Sequence, residues 1–137
     1  MAVPRTEGEA IAQRLLTEPA VTALVGTRIY PSKPTQDPTE KYVVYYRTGG
    51  GDGRRLAGRH GLQNYAVRVE ATAGTQAEAE AILAAVRERL APVGDRWVDK
   101  TNGVHGCSTV GDADEQTLED GRQVSGQTYS IWFKAQT

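Results

Sequence analysis

The stretch Ala20–Pro31, AVTALVGTRIYP, decides how the chain is read, because within it a helix stops and a strand begins. Pro19 stands just ahead, inside Thr17 or Glu18, and suits the first helical position, where a missing N–H leaves no carbonyl unpaired. Val21, Leu24 and Val25 fall on one helix face. Gly26 supplies the left-handed residue that closes the last turn. Thr27-Arg28-Ile29-Tyr30 then reads as extended chain, which Pro31 ends. Helix and strand therefore alternate on a short length scale from the start.

Upstream, the Thr6 to Glu9 spacing is that of a capping box, opening a first helix with Ala10, Ile11 and Leu15 on one side and Arg14 beside them. Downstream, Pro31, Pro34 and Pro38 make the connection too proline-rich for regular structure. Tyr42–Arg47, YVVYYR, is a β-branched and aromatic run that predicts a strand. In Leu62–Ala73, Tyr65, Val67, Val69 and Ala71 alternate with Ala66, Arg68, Glu70 and Thr72, so one face is buried and the other is wet or covered by a partner. Between these strands lies GGGDGRRLAGRHG, Gly49–Gly61, read as a loop far longer than the usual 2–5 residues of a hairpin tip.

Thr75 and Glu78 form a second capping box, before a helix over Gln76–Leu90 with an apolar stripe of Ala79, Ile82, Leu83, Val86 and Leu90. Pro92 and Gly94 stop it, and Trp97 is expected over its end. Val104–Val110 predicts a strand of small residues, followed by an acidic turn, and Arg122–Ala135 a long strand. There Tyr129, Ile131 and Phe133 share one face and Trp132 and Lys134 the other; a large aromatic on an otherwise wet face points to cover by a helix or a neighbouring chain. The resulting class is α+β: a mostly antiparallel β-sheet with N-terminal helices and one long helix packed on one face, in a single domain over residues 1–137.

At 137 residues, 39% hydrophobic and 24% charged, the composition is that of an ordinary globular domain. The longest apolar run, Ala81–Val86, is far short of the roughly 20 residues a membrane-spanning helix needs. The start, MAVPRTEGE, lacks the apolar core of a secretion signal, and the single Cys107 gives no intramolecular disulfide, so synthesis in the cytosol is expected. A net charge of −1 argues against an electrostatic nucleic-acid binder. The charge is nevertheless segregated. Arg54, Arg55 and Arg59 fall together beside His60, while Asp112, Asp114, Glu115, Glu119 and Asp120 fall in another segment. Either both are solvated loops or they meet across a subunit interface, where complementary charge fixes register.

No residue set demands catalysis. Gly53-Arg-Arg-Leu-Ala-Gly58-Arg59-His60 has the glycine spacing of a phosphate-binding loop but lacks its lysine and its Ser/Thr, and it links two strands. His60, His105 and Cys107 fall short of the four ligands of a structural zinc site, although His105 and Cys107 would share a strand face; Cys107 reads as a small core residue. No G-x-S-x-G elbow occurs, and paired carboxylates arise only in the 112–120 segment, where no cleft is implied. Tyr42, Tyr46 and Arg47 imitate a nucleic-acid-reading sheet but fit a core strand better. The expectation is a protein that is not an enzyme and needs no cofactor or metal.

Taken in order, VTALVGTRIYP (Val21–Pro31), YVVYY (Tyr42–Tyr46), YAVRVEATA (Tyr65–Ala73), TQAEAEAILAAVRERL (Thr75–Leu90) and the acidic turn Glu119-Asp120-Gly121-Arg122 leading to Tyr129-Ser130-Ile131-Trp132-Phe133 resemble the small tail-completion, or tail terminator, family of long-tailed bacteriophages. The resemblance covers nearly the whole chain and rests on the order of the pieces. It implies a hexameric ring on the end of a finished tail tube, which stops tube polymerisation and offers a surface to the head-completion proteins of the neck. DNA would pass through its lumen without specific binding. Such a protein is made in the host cytoplasm and resides in the virion, with no membrane contact. Within it, Arg54, Arg55, Arg59 and Trp132 are the candidates for contact with a neighbouring subunit or the tube. Asp112, Asp114, Glu115, Glu119 and Asp120 are candidates for the lumen or an interface. The alternatives are a head-closure or adaptor ring, a minor tail-tube component, a ring from a domesticated particle such as a gene transfer agent or contractile injection particle, and a small ligand-binding domain.

Overall fold

The computed structural model describes residues 3–33, 40–55, 62–93 and 96–135. Helix α1 spans Glu7–Leu16 and α2 spans Pro19–Val25. Thr6 Oγ1 accepts from the Glu9 amide at 3.1 Å, and the Glu9 carboxylate accepts from the Arg5 amide, so the box closes one residue further out than its simplest form. Gly26 ends α2 with φ +60°, and its amide donates to the Thr22 carbonyl. At the start of α3, Gln76–Leu90, the Glu78 amide donates to Thr75 Oγ1 as expected, while the Glu78 carboxylate accepts from the Thr75 hydroxyl in place of the Thr75 amide of a full capping box. Each such cap is worth about 1 kcal/mol.

Among the described residues, five strands form one sheet in the order β1-β2-β3-β5-β4. They are β1, Ile29–Pro31; β2, Tyr42–Arg55; β3, Gln63–Ala73; β4, Val104–Thr117; and β5, Gln123–Phe133. All neighbours are antiparallel except β1, which runs parallel to β2. A 3-10 turn, Lys100–Asn102, precedes β4. The helices contribute Ile11, Leu15, Val21, Val25, Ile82, Val86 and Leu90 to one core, against Val43, Val67, Val69, Tyr129, Ile131 and Phe133 of the sheet. Each of these side chains contributes roughly 1.5–3 kcal/mol by leaving water. The α+β layout with helices on one face is the one the sequence implies.

Trp97 is buried in the same core, with the Arg14 guanidinium 5.0 Å from its ring centre. Arg14 Nε donates to the Arg89 carbonyl and Arg89 Nε to the Arg14 carbonyl, which ties α1 to the last turn of α3. Glu7, nearly fully buried, receives both Nε and Nη2 of Arg47 and ties α1 to β2.

Two expectations change. The stretch from Gly49 is not wholly loop, because β2 continues to Arg55 with register shifts after Arg47 and after Gly50. Gly50 makes this continuation feasible: at φ +85° it lies against the Asn64 carbonyl and the Tyr65 Cα, where any Cβ would overlap backbone. Likewise the acidic residues from 112 to 117 are not a turn. They prolong β4, and only Leu118–Arg122 turns back to β5. Pairing with β5 supplies the backbone hydrogen bonds, so Asp and Glu occupy a strand despite their low intrinsic preference for it.

Candidate functional site

One face of the sheet carries the helices; the other carries a line of polar side chains as well as Tyr42, Val44 and Val124, which are buried there. On that open face Arg68 of β3 is the centre. Its Nε donates to Glu70 Oε2 at 2.7 Å, and its two terminal nitrogens donate to Asp114 of β4 at 3.1 and 2.5 Å. Since β5 lies between β3 and β4, the guanidinium must cross it, and it does so over Gly126. A Cβ at Gly126 would overlap the guanidinium. Tyr46 of β2 donates its hydroxyl to the same Glu70 oxygen at 3.1 Å. A polar chain therefore runs across the sheet from β2 to β4. The Asp114 hydrogen bonds hold the Arg68 guanidinium even more firmly charged than usual, and Arg68 holds the Asp114 carboxyl below the ordinary aspartate value. Burial and then Glu70 push the Tyr46 phenol upward.

From Ser108 to Thr117 every residue of β4 is exposed, and the strand is an edge of the sheet. Charged side chains on such an edge discourage indiscriminate strand pairing. Asp112, Asp114 and Glu115 lie on this strand, while Glu119 and Asp120 lie in the turn that follows. Their environments differ. Asp114 is clamped by Arg68, and Asp120 accepts from the Arg122 amide and from Arg122 Nε. Glu115 accepts from Gln76 Nε2 of α3 at 2.5 Å, and the same nitrogen donates to Glu80 at 3.1 Å. The neighbouring Glu80 raises the Glu115 carboxyl, while Glu115 and then Gln76 lower that of Glu80. Asp112 and Glu119 are exposed.

The basic candidates are only partly in view. Arg54 and Arg55 are the last residues of β2, on a strand and not in a loop, and Arg55 pairs with Gln63. Arg59 and His60 lie outside the described residues. Trp132 is half-buried on the open face, beside Gly106 and Asn64 in the sheet register. It borders a shallow hollow of about 110 Å³ with Arg96, Ser108 and Ser130. The helical core is on the opposite face, so among the described residues no helix covers Trp132.

Cys107 is buried, and burial pushes its thiol up to about 12, which makes it a core residue and a poor nucleophile. A β-bulge between Val104 and Gly106 interrupts the alternation that would have put His105 and Cys107 on one face. Among the described residues no group of three or more His, Cys, Asp or Glu side chains is arranged to hold a metal ion.

Arg68, Tyr46, Glu70 and Gly126 are what sequence reasoning missed. The signal was Arg68-x-Glu70, two opposite charges on the wet face of an otherwise apolar alternation.

The described residues form a layered α+β domain with open grooves beside its helices. The chain belongs to the family described as Tail completion protein gp17, whose model matches residues 9–135. Among solved structures it is similar to a chain of the "Virion of native gene transfer agent (GTA) particle", with a TM-score of 0.73 at 21% sequence identity over 98% of each chain. That likeness shows the fold. A comparison with curated proteins gives no match.

Proposed function

We propose that this protein is a virion component that assembles as a ring of about six copies on the end of a tail tube. The ring stops tube polymerisation and joins the tail to the head-completion proteins of the neck. Membership of the tail-completion family supports a structural role in the tail. The likeness in fold to a chain of a gene transfer agent virion is consistent with a phage or a phage-like particle.

One observation carries the reading beyond the family. The basic end of β2 and the acidic part of β4 occupy opposite ends of the sheet. Arg55 pairs with Gln63, which pairs with Phe133, where β5 finishes; Asp114 and Glu115 sit opposite Gly126 and Ser125, near where β5 begins. From Gln63 to Ala71, the β3 partner of Ser125, is eight residues, or about 26 Å of strand. The two charged regions therefore cannot meet within a chain. They can meet between chains in a head-to-tail contact, and a contact of that type repeated by rotation closes a ring. Trp132, on the uncovered face, supplies apolar area for the same purpose. Of the acidic candidates for the lumen, Asp112 and Glu119 are exposed, and negative charge there would let DNA pass without adhering.

The test is native mass spectrometry with negative-stain imaging of the wild type and of a variant carrying R54E, R55E and R59E. Rings are expected for the wild type, in solution or on purified tails. The variant should remain a folded monomer by circular dichroism. A variant that assembles as the wild type does would refute the basic contact, and a wild type that binds neither itself nor tails would refute the ring.

A further inference from the structure

The acidic residues of β4 do more than decorate an edge. Between α3 and β4 runs an open groove of about 310 Å³, bordered by Glu80 and Arg87 of α3, Asp114 and Glu115 of β4 and Ser125 of β5. Its polar lining consists mainly of hydrogen-bond acceptors. Asp114 is committed to Arg68. Glu80 and Glu115 are not neutralised: a single Gln76 amide nitrogen lies between them, and Arg87 offsets only one of their charges. Ser125, on the helix-facing side of β5 in register with Ala71, is 2% exposed, and its Oγ has no hydrogen-bond partner. A buried hydroxyl without a partner is destabilising unless something arrives to bond it.

Two carboxylates and an unpartnered hydroxyl together call for a ligand rich in N–H donors and positively charged. A guanidinium offers five N–H groups in a fixed planar fork, able to bridge two carboxylates and still reach a third acceptor, whereas an ammonium is a point charge without that geometry. The end of β2 carries two adjacent arginines, Arg54 and Arg55, and the about 26 Å of strand between Gln63 and Ala71 keeps those of the same chain away from the groove.

We propose that the α3–β4 groove receives the guanidinium of Arg54 or Arg55 from a second copy of this chain. The proposal rests on the ring reading above and names the acceptor of its basic contact.

The experiment titrates the full-length protein with a synthetic peptide of sequence GGGDGRRLAGRHG, residues 49–61, and follows backbone amides by NMR. Shifts are expected at Gln76, Glu80, Ala84, Glu115 and Ser125. The double variant E80Q/E115Q should weaken peptide binding by roughly tenfold, since two exposed charge pairs are lost. A peptide with lysine in place of each arginine should also bind several-fold more weakly, and equal binding would overturn the guanidinium assignment. Shifts confined to other surfaces, no binding at all, or binding unchanged in E80Q/E115Q would overturn the proposal. Ring assembly of E80Q/E115Q, scored by native mass, separates the two readings. If this variant forms rings as well as the wild type does, the groove is not the acceptor although the ring stands. If the wild type forms no ring, the ring reading falls, while the peptide titration still decides whether the groove binds guanidinium.

Discussion

The two faces of β5 carry opposite kinds of design. Toward the helices, Tyr129, Ile131 and Phe133 are at most 2% exposed and pack into the single core. On the other side of the same strand stand Gly126, Ser130 and Trp132, where Arg68 crosses Gly126 and the Asn64 amide donates to Ser130 Oγ. The first face is held by the exclusion of water, which is non-directional and large per residue. The second is held by directional pairs of small net worth, which set where side chains point more than whether the chain folds. Stability is therefore concentrated on one face, while polar pairs set the side-chain directions on the other.

The largest way to break this contrast is to empty the helical face. Ile131→Ala removes a fully buried side chain and should cost about 2–5 kcal/mol in urea unfolding. Its chain neighbour on the open face is the control: Ser130→Ala should cost about 1 kcal/mol or less. Equal losses at the two positions would mean that the open face is as much a core as the other.

A smaller effect sharpens the open face itself. Arg68→Ala removes the donor that spans β3 to β4 and should cost about 1–2 kcal/mol, discounted because Asp114 is well exposed. Gly126→Ala should cost a similar amount for a different reason, since the added methyl displaces the guanidinium. Because both act on one interaction, they should not add. In the Arg68→Ala background, Gly126→Ala is expected to be neutral or slightly stabilising, as alanine loses less backbone entropy than glycine. Strict additivity in a double-mutant cycle would show that Gly126 serves something other than the passage of Arg68.

What the sequence disclosed follows the same division. The Thr6 and Thr75 caps, the Pro19–Val25 helix with its glycine stop and the Gln76–Leu90 stripe are set by neighbours within a few positions, and the structure reproduces them. The buried alternation of β3 and β5 was equally legible, because a period of two needs no knowledge of the partner strand. The acidic half of β4 was not. Its residues favour turns when taken alone, and only pairing with β5 makes them a strand. The continuation of β2 past Gly50 depended on a close backbone approach that no local pattern encodes. Arg68 stood in plain view, yet its partner Asp114 is set by the strand order β3-β5-β4 and by the shift in register between Val110 and Asp114. Candidate residues could be named from their charges, but which of them touch could not.

The smallest effect separates two adjacent acids on β4. Arg68 lowers the Asp114 carboxyl, whereas the hydrogen bond with Glu80 raises that of Glu115. A lowered carboxyl contributes stability that is present above the ordinary aspartate value of about 3.9 and is lost as pH falls through the folded-state value. The stability gap between wild type and Asp114→Asn should therefore be open at neutral pH and close in acid. A raised carboxyl has the reverse sign: its contribution is present below the ordinary glutamate value of about 4.3 and is lost as pH rises through the folded-state value. Carboxyl carbon-13 NMR titration should show Asp114 ionising below, and Glu115 above, their usual ranges. Arg68→Ala should return only the first to normal and Glu80→Gln only the second. If either substitution moved both, the clamp across the open face and the paired carboxylates beside α3 would be one electrostatic unit, and the two sides of β4 would not be independent surfaces.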